Sequence, residues 1–459
     1  MLRYFIHTAV AVALLVPLSS QVFAQSHPAV PAFNSNPGAP YTVYLDFGGF
    51  TWNGTWGGTT MGTQPAYNGQ AGANFTAGEQ ANIKDIWSRV SEQYSIYNVN
   101  VTTVDPAVAA GQAANDTTRQ NYYDSVARLQ HTVIGDTSSS TIFPGAGGIS
   151  YVNVISSVAA PGRHTNWVWP NRLGGATAFH NIGTASAHED GHAFGLYHQA
   201  DYIGTTIQGS GYSTNNSSAS IAPTMGVAYG AARGAWRLGP ADGSSGKITQ
   251  NDPLVVLTSN SGIGNFKSDG ISHVVGAPTA LPLTGSSINF NLAKGVIVPA
   301  SSANPNPSGS NNYTLDYFTF TTTGGVNTIN LIAGGQLVTA GIADADPMLD
   351  GTLRILDSGG NPLFTANTAS LSETISQNLA AGTYIIEVSS AGGKTASLGP
   401  GTWDPATFYD AGSYFLTGTI ISAVPEPATI ALFGVVFLGA GYQGWRYRAK
   451  RRAALNQTI

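Results

Sequence analysis

Between 77 and 94, in AGEQANIKDIWSRVSEQY, the apolar residues Ile83, Ile86, Trp87, Val90 and Tyr94 recur at three- and four-residue intervals. That is the period of a helix with one buried face. Thr76 and Glu79 stand where a capping box would satisfy its first amides. Elsewhere the period is two. YTVYLDF (41–47), NVNVTTV (98–104), HTVIG (131–135) and ISYVNVIS (149–156) read as strands, and Asn53-Gly54 in TWNGTW as a hairpin turn. From 270 to 421 the alternation comes in short runs between turns: YTLDYFTFTT, NTINLIAG, GTLRILDSGGNPLFTAN, GTYIIEVSS and GSYFLTGTI. This spacing predicts an all-β sandwich over 270–421, behind a first body over 25–268 that mixes strands with helices.

The two ends follow other patterns. Residues 1–24 carry Arg3, an apolar run from Ala9 to Leu18 and a small-residue site ending at Ala24. These are the marks of a cleaved secretory signal peptide, with an apolar core too short to span a bilayer. At the far end, Pro425-Glu426-Pro427 precedes an apolar stretch from Ala428 to Trp445, then Arg446, Arg448, Lys450, Arg451 and Arg452. The stretch is just long enough for a transmembrane helix, and the basic cluster behind it should stay cytoplasmic. Motif, apolar span and basic tail over 424–452 resemble the PEP-CTERM sorting signal of Gram-negative bacteria. The resemblance implies processing by an exosortase-type enzyme, and both ends imply export across the inner membrane to the periplasm, cell surface or medium.

Composition narrows the partners. Charged residues are 9% of the chain and the net charge is −5, which leaves no basic surface for nucleic acid. With no cysteine there is no disulfide, no thiolate ligand and no cysteine latch for a metal.

The candidate chemistry lies in AHEDGHAFGLYH, residues 187–198. On a helix, His188 and His192 project from one face a turn apart, so both imidazoles can reach one zinc ion. Glu189 sits about 100° around, placed to lean over a metal-bound water rather than to ligate. His198 can supply a third ligand only if the helix stops, since a continuing helix would carry it about 15 Å along the axis. Gly195 is the residue type that stops a helix in a left-handed turn. The bland alternative is a helix merely rich in histidine, and His131, His164, His180 and His273 are read as structural.

His188-Glu189-x-x-His192-x-x-Gly195-x-x-His198 resembles the metzincin zinc peptidases, which also carry a methionine turn. Met225 in APTMGVAYG lies 27 residues after His198 and suits that turn. The resemblance implies a zincin-like domain over 25–268, a mixed sheet with an active-site helix. It also implies one catalytic Zn²⁺ on His188, His192 and His198, with Glu189 as general base and then acid. The expected fold class is therefore α+β, followed by the sandwich and a C-terminal transmembrane helix. Two departures stand out. Asp190 occupies a position usually apolar, and Val227 stands where some metzincins place an extra tyrosine ligand. Tyr229, two residues on, is the candidate oxyanion donor.

The segments around Asp316, LRILDSGGNPL and AGTYIIEV resemble the bacterial pre-peptidase C-terminal domain, which implies binding of substrate, extracellular matrix or exopolysaccharide and sometimes Ca²⁺. Asp344, Asp346 and Asp350 could form a cation cluster, although their spacing is no EF-hand and solvated loop acids are the plainer reading. The expected function is an exported zinc endopeptidase acting on polypeptide. The competing reading is an inactive surface or biofilm-matrix binding protein.

Overall fold

The computed structural model describes residues 27–135, 143–156, 162–200, 202–203, 206–207, 221–243, 245–258, 262–299, 313–334, 346–391 and 408–421. The expected signal peptide (1–24), Asp344 and the 424–452 tail lie outside the described residues.

The first body runs β1 (Tyr41–Asp46), β2 (Phe50–Trp56), β3 (Thr59–Gln64), α1 (Ala77–Gln93), β4 (Val99–Thr102), α2 (Pro106–Ala109), α3 (Asp116–Ser125), β5 (Leu129–Ile134), β6 (Gly148–Ile149), β7 (Thr165–Val168) and α4 (Phe179–Ala193). Five strands form one sheet in the order β4-β1-β5-β7-β6. All neighbours are parallel except β6, which runs antiparallel to β7 at the edge. The capping box forms as expected: the Thr76 side chain accepts from Glu79 N–H and the Glu79 carboxylate from Thr76 N–H. Ile83, Ile86, Trp87, Val90 and Tyr94 are all buried.

The expected fold class needs correction. Strands account for 39% of the described residues and helices for 18%, so these are mostly β and do not show an α+β zincin-like domain with a C-terminal transmembrane helix. Among the described residues, no helix is long and apolar enough to cross a membrane. The physical reason lies in composition. Short runs punctuated by 56 glycines leave, among the described residues, only α1 and α4 with more than ten residues.

Two local readings also change. Asn53-Gly54 is not the hairpin turn; it lies at a register shift between Trp52 and Thr55 within β2. The chain turns instead at Gly57-Gly58, whose φ angles of +56° and +81° suit the primed turns that match strand twist. Of ISYVNVIS, only Ile149 lies in a strand. The amides of Asn153, Val154 and Ile155 turn to the carbonyls of His192 and Ala193, at 2.8, 3.0 and 3.2 Å, and so satisfy the end of α4. Alternation is ambiguous when backbone amides have a helix end to serve.

The second body is a pair of packed sheets, as the alternation predicts. One orders Thr279–Ala280, Asp316–Thr322, Gly382–Ser390, Gly351–Leu356 and Pro362–Ala366. The other is built on Gly412–Thr419 between Gly325–Ala333 and Lys294–Ile297, with Glu373–Leu379 beyond. Inward residues such as Phe318, Ile386 and Leu353 of the first sheet and Ile329, Leu331 and Leu416 of the second share one buried cluster. That cluster continues into the α1 and α4 residues Ile83, Val90 and Ile182, so the two bodies bury apolar surface together.

Candidate functional site

Helix α4 carries His188, Glu189 and His192 and stops where expected. Gly195 has φ +103°, its N–H reaches His192 O (2.8 Å), and Leu196 N–H reaches Gly191 O (3.0 Å). This paired bonding is a Schellman cap, which requires a left-handed residue at Gly195. The chain then turns back. Gln199 N–H donates to Met225 O (2.7 Å) and Asp242 N–H to His198 O (2.9 Å), so His198 is pinned between the methionine turn and the strand Leu238–Gly243.

The three imidazoles converge, with one ring nitrogen from each within 4.8 Å of the others. His188 Nδ1 donates to Thr224 O (2.8 Å) and His192 Nδ1 to Leu196 O (2.7 Å). A carbonyl can only accept, so these bonds place the proton on Nδ1 and leave the Nε2 lone pairs for a ligand. His192 Nε2 and His198 Nε2 stand 3.1 Å apart. Two nitrogens on one tetrahedral zinc at ~2.0–2.1 Å would sit roughly 3.3 Å apart, so the donor set and its spacing fit that ion. Burial and the neighbouring imidazoles hold His188 well below its ordinary pKa. Burial, with His198 beside it, takes His192 down to about 3, and burial takes His198 to about 4. All three are neutral at pH 7, the form that binds metal.

Met225 is fully buried beneath the helix. A Cβ added at Gly191 would fall 2.6 Å from Met225 Sδ, so glycine there lets the turn close under the histidines. Thr224 Oγ1 donates to Gln93 Oε1 (2.8 Å), tying the same turn to α1.

A cavity of about 360 Å³ opens over the triad, lined by Gly147, Gly148, Glu189, Val227 and Tyr229 beside the three histidines. Sequence reasoning missed Gly147 and Gly148. A Cβ on Gly148 would meet Glu189 Cγ and Oε1 at 2.7 Å, and one on Gly147 would meet Leu173 Cδ2 at 2.4 Å. The run GAGG at 145–148 was the available signal. Burial, reinforced by the nearby Asp190, pushes the Glu189 carboxyl well above its ordinary range. Tyr229 is 38% exposed on the rim.

Asp190 is fully buried on the sheet side of α4. Its Oδ1 accepts from Thr132 Oγ1 of β5 (2.5 Å) and Asn166 Nδ2 of β7 (2.9 Å). Burial takes its carboxyl up to about 7 against those two bonds. The default reading holds for His131, which is buried against Asp46 and Thr165. Asp346 departs from the loop-acid reading: it is buried, and paired with His180 and Arg89.

Removing one ligand tests the convergence directly. His198→Ala should greatly weaken zinc retention from about one ion per chain, as read by metal mass spectrometry. Unchanged metal content would remove His198 from the set.

Among known proteins, residues 423–448 match the family model of the PEP-CTERM protein-sorting motif. The match covers Pro425, Glu426 and Pro427, and implies recognition by an exosortase-type sorting enzyme and export to the cell envelope or surface of a Gram-negative bacterium. It lies in the tail and does not reach the histidine segment. No curated protein matches the chain. A solved structure, the pre-peptidase C-terminal domain of collagenase from Bacillus anthracis, is similar at 14% identity and a TM-score of 0.17, over 30% of this chain and 95% of that one.

Proposed function

We propose that this chain is an exported zinc endopeptidase whose site is His188, His192 and His198 with Glu189. The observation that supports the reading best is the set of Nε2 lone pairs left facing one point by the Nδ1 bonds, beside a buried carboxyl in an open cavity. Zinc held there would supply Lewis acidity, polarising a scissile carbonyl and easing deprotonation of water. Glu189 takes the proton from the attacking water and passes it to the leaving amine. Tyr229, on the rim, is the donor available to the developing oxyanion.

The substrate class follows from the wall facing the triad. Strand β6 ends its sheet, and no strand pairs with its outer edge among the described residues. Its residues Gly148 and Ile149 line the same cavity as Glu189. An extended polypeptide can add to such an edge through main-chain hydrogen bonds, which presents its carbonyls to the site without demanding a particular side chain. On this reading the sandwich over 270–421, resembling a pre-peptidase C-terminal domain, adds affinity for matrix or substrate.

The test is hydrolysis of a denatured protein by the exported chain. Cleavage should stop with a chelator and return with zinc. No cleavage with zinc in place, across several substrates, would favour the binding-protein reading. The tail is tested separately by replacing Pro425, Glu426 and Pro427 with alanine. Processing to a shorter form should then stop, because the motif a sorting enzyme would recognise is gone. An unchanged mature size on a blot would count against the sorting reading.

A further inference from the structure

Asp346 belongs to the second body, yet its carboxylate reaches the start of α4. Oδ2 lies 2.8 Å from His180 Nδ1 and is also paired with Arg89 Nη1 of α1, whose Nε is held by Asp85 Oδ1 at 2.6 Å. His180 then continues the chain of contacts: its Nε2 lies 3.0 Å from the carbonyl of Ala228. Ala228 sits between Val227 and Tyr229, both of which line the cavity over the triad. Both ring nitrogens of His180 therefore face acceptors. A neutral imidazole has one N–H and can serve only one of them; an imidazolium serves both.

We propose that the second body is a working part of the site, with Asp346 acting through His180 as a positioning residue for the rim loop of Val227 and Tyr229. The inference rests on the endopeptidase reading only where it concerns rates. Its physical core is a two-ended clamp. One end of His180 is fixed on Asp346, and the other holds the loop that carries Tyr229.

The clamp makes the rim sensitive to alkali. The charged groups facing His180 are Asp346 from the second body and Arg89 from α1, with Asp85 behind Arg89. The Asp346 hydrogen bond raises the pKa of His180, and burial opposes it. When pH rises through that raised value, the remaining proton stays on Nδ1 against the carboxylate, and the Ala228 carbonyl loses its donor. The rim should therefore be ordered below the transition and loosened above it.

Three variants of the full exported chain, loaded with zinc, test this. In Asp346→Asn the carboxylate charge is gone, so the His180 imidazole should titrate at least one pH unit lower by NMR. Amide exchange over 226–231 should quicken at neutral pH. The alkaline limb of kcat should move to lower pH by the same shift, with KM for a short peptide little changed. His180→Gln keeps an N–H donor but cannot titrate, so the alkaline limb assigned to His180 should disappear. Asp346→Glu should restore the wild-type titration in part. An unmoved His180 titration, or unchanged exchange at 226–231 in Asp346→Asn, would overturn the proposal whether or not peptide is cleaved. If both move while no version cleaves, the clamp stands and the endopeptidase reading falls instead. Should Asp346→Asn fail to fold, exchange and pH profile in His180→Gln decide alone, and a retained alkaline limb there counts against the clamp.

Discussion

Glu189→Gln should abolish peptide cleavage while zinc content and thermal midpoint stay close to wild type. Glutamine keeps the length and hydrogen-bonding reach of the side chain but cannot take up a proton at neutral pH. The metal ligands are untouched, because His188 and His192 are oriented by Thr224 and Leu196 rather than by Glu189. General acid–base groups contribute typically ~10²–10⁴-fold, and Glu189 would serve two proton transfers, so the loss should be at least of that order. Burial, with Asp190 nearby, raises the carboxyl above its ordinary range, the direction that favours holding a proton once taken up. Gly148→Ala offers an independent check from the opposite wall. The new Cβ would press on Glu189 Cγ and Oε1, so the rate should fall with zinc still bound. Equal cleavage by wild type and Glu189→Gln at equal zinc would point to another catalytic group.

What could be read from the chain depended on how far apart the partners lie. The triad was legible because His188, His192, Gly195 and His198 fall within eleven residues, and local helix geometry with one left-handed glycine fixes their relation. The capping box at Thr76 and the two-residue period of the sandwich were legible for the same reason. The other half of the site was not. Gly148 meets Glu189 only because β6 is laid along β7, and Asp346 meets His180 across 166 residues. No local period records such pairings. The Asn53-Gly54 and ISYVNVIS readings failed differently, since both patterns were real but tertiary demand set their use. The overall class failed because a helix-borne motif said nothing of how much strand surrounds it.

Asp190 shows the same limit and supports the second large prediction. By motif the position should be apolar, and restoring leucine looks like a repair. The structure argues the reverse. Asp190 Oδ1 is the acceptor for Thr132 Oγ1 and Asn166 Nδ2, all three groups being buried between α4 and the sheet. Leucine would strand two buried donors, at about 1–3 kcal/mol each, so Asp190→Leu should destabilise the chain by about 2–6 kcal/mol. Asp190→Asn retains the accepting oxygen and should stay within about 1 kcal/mol of wild type. Replacing the partners as well, in Thr132→Val with Asn166→Leu on the Asp190→Leu background, removes the stranded donors and should recover part of the loss, a coupling that a denaturant-unfolding cycle can read. Because Asp190 lies on the sheet side and does not line the cavity, zinc stoichiometry should not change in any of these variants. An Asp190→Leu chain more stable than wild type would show that the carboxylate is a tolerated defect and not a partner the sheet was built to receive.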